Sequence, residues 1–185
     1  ARAKGLAQYL NPLAEPYLLG STPYTVAVAT REGGVAIDVA SQLQGLEVKL
    51  PGPFAKKPDS RLPFRLNQTV NPQGQRWTVD LGPEGKPLAQ VRAMVLDEQG
   101  QAGIDSLQFA VGAPLAPATP GIQGDVRMSV IDVDTWRAIA NDITSASGNM
   151  GLMTGFLDNT PTGPAVNLKV GIRADRLNIG SKSFE

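Results

Sequence analysis

Apolar and polar residues alternate with a period of two along most of this chain. Between Gly33 and Leu66, Val35, Ile37 and Val39 fall on one side and Ala36, Asp38 and Ala40 on the other; Leu46, Val48 and Leu50 then alternate with Glu47 and Lys49. One apolar face with that period predicts half-buried antiparallel sheet. The pattern recurs in Tyr24–Thr30 (Tyr24, Val26, Val28), in Leu62–Val70 (Phe64, Leu66) and in Gln75–Leu81 (Trp77, Val79, Leu81). It recurs again in Leu88–Leu96, Ile104–Val111, Gly124–Ile131 and Val166–Arg173 (Val166, Leu168, Val170, Ile172). Turn residues separate these runs: Arg31-Glu32-Gly33-Gly34, Asn71-Pro72-Gln73-Gly74, Gly82–Pro87 and Asp97–Gly100. Glycine, proline, asparagine and aspartate supply the backbone angles that hairpins need.

Two segments depart from alternation. Val133, Trp136, Ile139, Ala140 and Ile143 form an apolar stripe at helical spacing, with Asp132 or Asp134 placed to cap it, which predicts one main helix near 133–146. A short helix is expected over about residues 3–10, before Pro12 and Pro16 break it. Asn149–Gly163 reads as a loop whose apolar residues lean on the sheet. The expected fold is mainly β: about nine or ten strands, antiparallel, without a strand–helix–strand rhythm. The 185 residues suit a single β-rich unit over 1–185, with a possible sub-boundary at the Pro/Gly-rich loop 112–121. The chain reads as a piece of a larger protein.

Composition narrows the chemistry. There is no Cys and no His, so thiolate or imidazole zinc sites, cysteine nucleophiles and Ser-His-Asp triads are excluded. Lys+Arg and Asp+Glu both number 17, which argues against a nucleic-acid binder. No apolar run is long enough to span a bilayer as a helix. Lys56 and Lys57, in the proline-rich loop Pro51–Arg61, could meet a phosphate but read as solvated loop charge. Asp132 and Asp134 could serve glycoside hydrolysis or hold a hard cation, but helix capping explains them more simply. Trp77 and Trp136 lie on apolar faces as core or groove lining. No catalytic set emerges, so no enzyme activity, cofactor or metal is expected. One helix is too little to cover so much apolar sheet. The remaining face closes on itself, packs on a second sheet, or stays open as an apolar groove.

Four phrases occur together and in order: GSTPYTVAV (Gly20–Val28), SQLQGLEVKLPGPFAKKP (Ser41–Pro58) followed by LPFRL (Leu62–Leu66), GIQGDVRMSVIDVDTW (Gly121–Trp136), and IRADRLNIGSKSFE (Ile172–Glu185). They resemble the C-terminal half of AsmA-like envelope proteins, in the YhdP branch. There a G-S-x-x-W/Y strand leads to S-x-L-x-G-L-x-x-x-L-P-x-P-x-x-K, then G-x-x-x-x-x-x-x-D-V-D-x-W and A-x-x-L-x-x-G-x-x-x-F. Residues 67–120 match only in strand pattern, Tyr24 stands where tryptophan is commoner, and Asn178–Lys182 lacks an arginine pair.

The resemblance implies a strongly curved antiparallel sheet, an open U-shaped trough or half-barrel. It also implies the periplasmic portion of a protein anchored in the inner membrane, carrying phospholipid between the inner and outer membranes. The implied partners are phospholipid acyl chains and other envelope proteins. Groove candidates are Val26, Val28, Val35, Ile37, Val39, Phe64, Leu66, Trp77, Val79, Val166, Leu168 and Val170, which could equally be the core of a closed sandwich. Alternative readings are a structural or assembly module of the envelope and, further off, a carbohydrate-active β domain using Asp132 or Asp134.

Overall fold

A computed structural model describes residues 16–31, 33–98, 101–146, 167–180 and 182–184. The expected helix over residues 3–10, the whole Asn149–Gly163 loop, Val166 and the side chain of Ile143 lie outside the described residues. The strands are β1 (Leu18–Gly20), β2 (Tyr24–Arg31), β3 (Gly34–Ser41), β4 (Leu46–Val48), β5 (Phe64–Asn71) and β6 (Gly74–Leu81). They continue with β7 (Ala89–Glu98), β8 (Gln101–Val111), β9 (Gly121–Asp132), β10 (Leu168–Ile179) and β11 (Lys182–Phe184). Among the described residues one helix, α1 (Val133–Ala146), follows β9 directly, and one 3-10 turn spans Gly52–Phe54.

Nine strands form one sheet in the order β11-β10-β9-β8-β7-β6-β5-β3-β2, and β1 pairs with β4 in a separate ribbon. The large sheet is mostly antiparallel and does not close into a barrel; β2 and β11 are its outer strands. Tight hairpins link β2 to β3 and β5 to β6. Gly33 has φ +77° in the first turn, and Pro72-Gln73 forms the second. At Gly74, where φ is +135°, a Cβ would collide with the Val95 carbonyl of the neighbouring strand, so the ladder needs glycine there.

The sheet is mostly antiparallel, as expected, with a parallel exception at one flank. Strand β9 runs parallel to β8 and to β10. Parallel neighbours need crossover connections. Between β9 and β10 that crossover contains α1, so one strand–helix–strand unit is present after all. Between β8 and β9 the crossover is the Gly112–Pro120 loop. It passes over one face of β8, where Gln108 is fully buried and its Nε2 donates to the Thr119 carbonyl at 2.9 Å. The Gln108 Oε1 is buried without a partner among the described residues. Ser106, Ala110 and Ala113 are buried beside it.

A strap joins the two flanks of the sheet. It consists of Tyr17, the β1–β4 ribbon and the 3-10 turn, and its two stems leave from β2 and β3. The Ser41 hydroxyl fastens both stems, donating to the Pro23 carbonyl at 2.7 Å and accepting from the Leu43 amide at 3.0 Å. At the far side the 3-10 turn packs on β9, and the Phe54 ring meets Trp136 edge-on, with centroids 5.9 Å apart and planes at 84°. The Tyr17 hydroxyl donates to the Asp142 carboxylate of α1 at 2.6 Å, and this bond raises the phenol above its usual pKa. In a flat sheet β3 and β9 would be five strand spacings apart, about 24 Å. Sheets this wide twist and curl, and the strap ties this one into a curved, open form.

Lys56 corrects the reading of solvated loop charge. It is 7% exposed, and its ammonium donates to the carbonyls of Leu46 (2.7 Å) and Lys57 (2.9 Å), with burial lowering its pKa. It fixes the loop after β4 rather than reaching for a ligand.

Candidate functional site: an open apolar face

The ladder registers align the alternating strands into rows that run across the sheet. One row comprises Val26, Val39, Leu66, Val79, Val91, Phe109, Gly124 and Val170, one residue from each of eight strands. Two residues away on each strand lies a second row: Val28, Ile37, Gln68, Trp77, Ala93, Leu107, Ile122 and Leu168. On the strap side lies a third: Tyr24, Ser41, Phe64, Leu81, Ala89, Val111, Val126 and Ile172. Residues two apart on a strand share a face, so the three rows form one continuous surface. At strand spacing each extends about 34 Å, with about 7 Å between rows.

Eleven of the twelve groove candidates stand on this face. Val26, Val39, Leu66, Val79 and Val170 belong to the first row, Val28, Ile37, Trp77 and Leu168 to the second, and Phe64 to the third. Val35 sits in a shorter row at the rim opposite the strap, with Thr30, Val70, Gln75, Val95 and Ile104. Val166 lies outside the described residues. None of the eleven is buried. Exposure is greatest toward the two flanks: Val28 is 67% exposed, Leu168 69% and Ile172 65%. Among the described residues the buried apolar side chains are only Ala110, Ala113, Ile122, Ile131 and Ile139. A closed sandwich would bury the inner faces of its strands, so on these residues the face is open.

The central floor residues Val91, Ala93, Leu107, Phe109 and Ile122 belong to the same surface although they are not among the groove candidates. Their alternation was the available signal. The missing step was register, which alignment by eye cannot supply across the parallel strands. At the centre, Phe109 lies over Gly124, where three ring carbons stand within 2.7 Å of the position a Cβ would occupy. The glycine leaves a notch that receives the ring.

The opposite face is polar. Asn67 donates to Asp38 at 2.6 Å, Gln90 to Asp80 at 2.7 Å, and Arg127 pairs with Asp125 at 3.0 Å. A hollow of about 450 Å³ lies on this side, lined by Ala40, Arg65, Asp80 and Gln90 with the Gly82–Pro87 turn. Smaller hollows sit beside Arg76 and Arg92 and beside Arg127 and Arg173.

Asp132 and Asp134 are occupied by the fold. Asp132 caps α1, its carboxylate accepting from the Thr135 amide at 2.9 Å, which lowers its pKa. Asp134 accepts from the Gly180 amide. Trp136 faces Phe54 of the strap. No helix among the described residues is long and apolar enough to cross a membrane.

No curated protein and no solved structure matches the chain. A family model described as YhdP protein matches residues 1–185. The match covers the entire chain, including residues 67–120, where the phrases in the sequence were silent. The chain belongs to the YhdP family, among the AsmA-like envelope proteins.

Proposed function

We propose that this chain is a non-enzymatic lipid-carrying segment of the cell envelope, in which acyl chains lie against the apolar face. The observation that carries the reading is the set of three rows crossing eight strands with none of the described candidate residues buried. A face of this extent, left open in water, marks a binding surface. Each acyl CH₂ removed from water is worth about 0.8 kcal/mol, so a chain of 16 carbons resting half-covered on the face gains about 6 kcal/mol. Rows that continue across strands keep a sliding chain on largely apolar surroundings, broken in the two central rows only at Gln68. In this reading the chain is the periplasmic part of an inner-membrane-anchored protein that passes phospholipid between the two membranes.

The test is native mass spectrometry of the protein purified from bacterial membranes, with lipid extraction from the same sample. Bound phospholipid in the parent is expected, with loss in Ile37→Asp and Leu168→Asp variants that keep the parent far-UV circular dichroism. A lipid-free parent that instead holds a stoichiometric envelope protein would replace this reading with that of an assembly module.

A further inference from the structure

The two central rows of the apolar face contain one polar interruption. In the two central rows, every residue is apolar or glycine except Gln68, which stands between Ile37 and Trp77. A half-buried amide at that point costs stability unless its hydrogen bonds are made. It makes one: its Nε2 donates to Oε1 of Gln75 at 3.3 Å, on the neighbouring strand. Gln75 and Trp77 are two apart on β6 and share its face. Among the described residues, the Gln68 Oε1, the Gln75 Nε2 and the Trp77 indole N–H have no further protein partner. Two donors and one acceptor therefore stand on neighbouring positions of the β5–β6 pair, beside the apolar residues of the two central rows. They stand at the rim opposite the strap, near the Pro72-Gln73 turn, and the rows toward Phe64 and Leu81 are apolar on β5 and β6.

We propose that Gln68, Gln75 and Trp77 form a polar subsite that binds the oxygen-bearing end of an amphiphile whose chains lie along the rows toward the strap. This rests on the lipid-carrying reading above and adds an orientation to it. The donors suit acceptor oxygens, either the ester carbonyls or the phosphate of a glycerolipid. Neutral amide and indole donors hold such oxygens without the desolvation cost of a buried charge. An indole at the boundary between apolar and wet surroundings suits both sides of that boundary.

The test compares the parent with the Gln68→Leu/Gln75→Leu and Trp77→Phe variants, each first checked for an unchanged melting profile. Binding of three radiolabelled probes is measured: dioleoylphosphatidylglycerol, dioleoylglycerol and hexadecane. One lost neutral donor predicts about fivefold weaker binding of the oxygenated lipids by the double glutamine variant, through Gln75, and a similar loss in Trp77→Phe. Hexadecane binding is expected to stay at the parent level. A loss shared by both glycerolipids places the ester oxygens in the subsite; a loss confined to phosphatidylglycerol places the phosphate there. Parent-level binding of all three probes by the double variant overturns the subsite and leaves the lipid-carrying reading standing. Failure of the parent to bind any probe overturns both.

Discussion

The notch at Gly124 gives the sharpest test of the floor geometry. A Gly124→Ala substitution places a methyl carbon where three Phe109 ring carbons stand within 2.7 Å. Carbon atoms in contact prefer about 3.5–4 Å, so the ring must retreat by about 1 Å or more. It can do so only by leaving its rotamer well or by lifting off the floor. Overpacking of this kind costs about 1–3 kcal/mol. For a chain of this size, 2 kcal/mol lowers the melting temperature by about 4–8 °C.

Removing the ring instead, with Phe109→Ala, is expected to cost about 2 kcal/mol, below the range for fully buried aromatics because Phe109 is only half-buried. In the double variant the methyl occupies space vacated by the ring, so its stability should match Phe109→Ala alone. That corresponds to a coupling equal to the cost of Gly124→Ala, about 1–3 kcal/mol. Gly171→Ala is the control. It lies on the adjacent strand, its nearest new contact is the Gly124 carbonyl at 3.9 Å, and it should shift stability by less than about 0.5 kcal/mol. Urea melts of the four proteins by circular dichroism supply the cycle. If Gly124→Ala and Phe109→Ala are additive within about 0.5 kcal/mol, the ring does not sit in the notch and the floor described here is wrong.

Further outcomes follow from the strap. Lys56→Met leaves the Leu46 and Lys57 carbonyls without their donor and should cost about 2 kcal/mol in a chemical melt. Burial lowers the Lys56 pKa, so between its folded value and the usual value of about 10.4 the unfolded chain holds the extra proton. Stability of the parent relative to Lys56→Met should therefore rise as pH climbs through that window, and a flat difference would show that the ammonium is not buried. Tyr17 behaves oppositely: its pKa is raised, so its contribution is complete below about pH 10, is lost as pH rises from there through the folded value, and is absent above it. Tyr17→Phe should remove that alkaline loss in the same melts. Phe54→Ala should cost about 1 kcal/mol beyond lost area through its edge-on contact with Trp136, and a Phe54/Trp136 double-mutant cycle without coupling would show that the strap is not held there.

Much of this fold could be read from alternation because the chain keeps a strict period of two wherever one side of the sheet is apolar. The hairpins at Gly33 and at Pro72-Gln73 were legible for the same reason: their residues allow few other conformations. Strand direction was not legible. Alternation is identical for parallel and antiparallel neighbours, so the Pro/Gly-rich loop 112–121 reads equally as a linker or a crossing loop, and the Gln108 contact shows it to be a crossover. Lys56 was misread because a lysine among prolines resembles solvated charge, and only the carbonyls that converge on it in three dimensions reveal otherwise. Gln68 passed unnoticed because a glutamine in a strand is unremarkable until the neighbours on either side prove apolar. The candidate site was therefore visible as a list of faces, and register turned the list into a surface.

The outer strand β2 carries one more consequence. From Tyr24 to Thr30 it contains no charge and no proline, and among the described residues no strand pairs with the side of its backbone away from β3. Protein surfaces ordinarily guard such a margin with lysine, proline or a bulge. Left bare, it is a template: at high concentration it should recruit whatever extended chain it meets, and preparations should show self-association that a Val26→Lys or Ala27→Lys change suppresses. The property that makes the strand a hazard in isolation also makes it a joint. A further strand laid against it in register would set its own side chains beside Val26 and Val28, lengthening the apolar floor by one spacing without a seam.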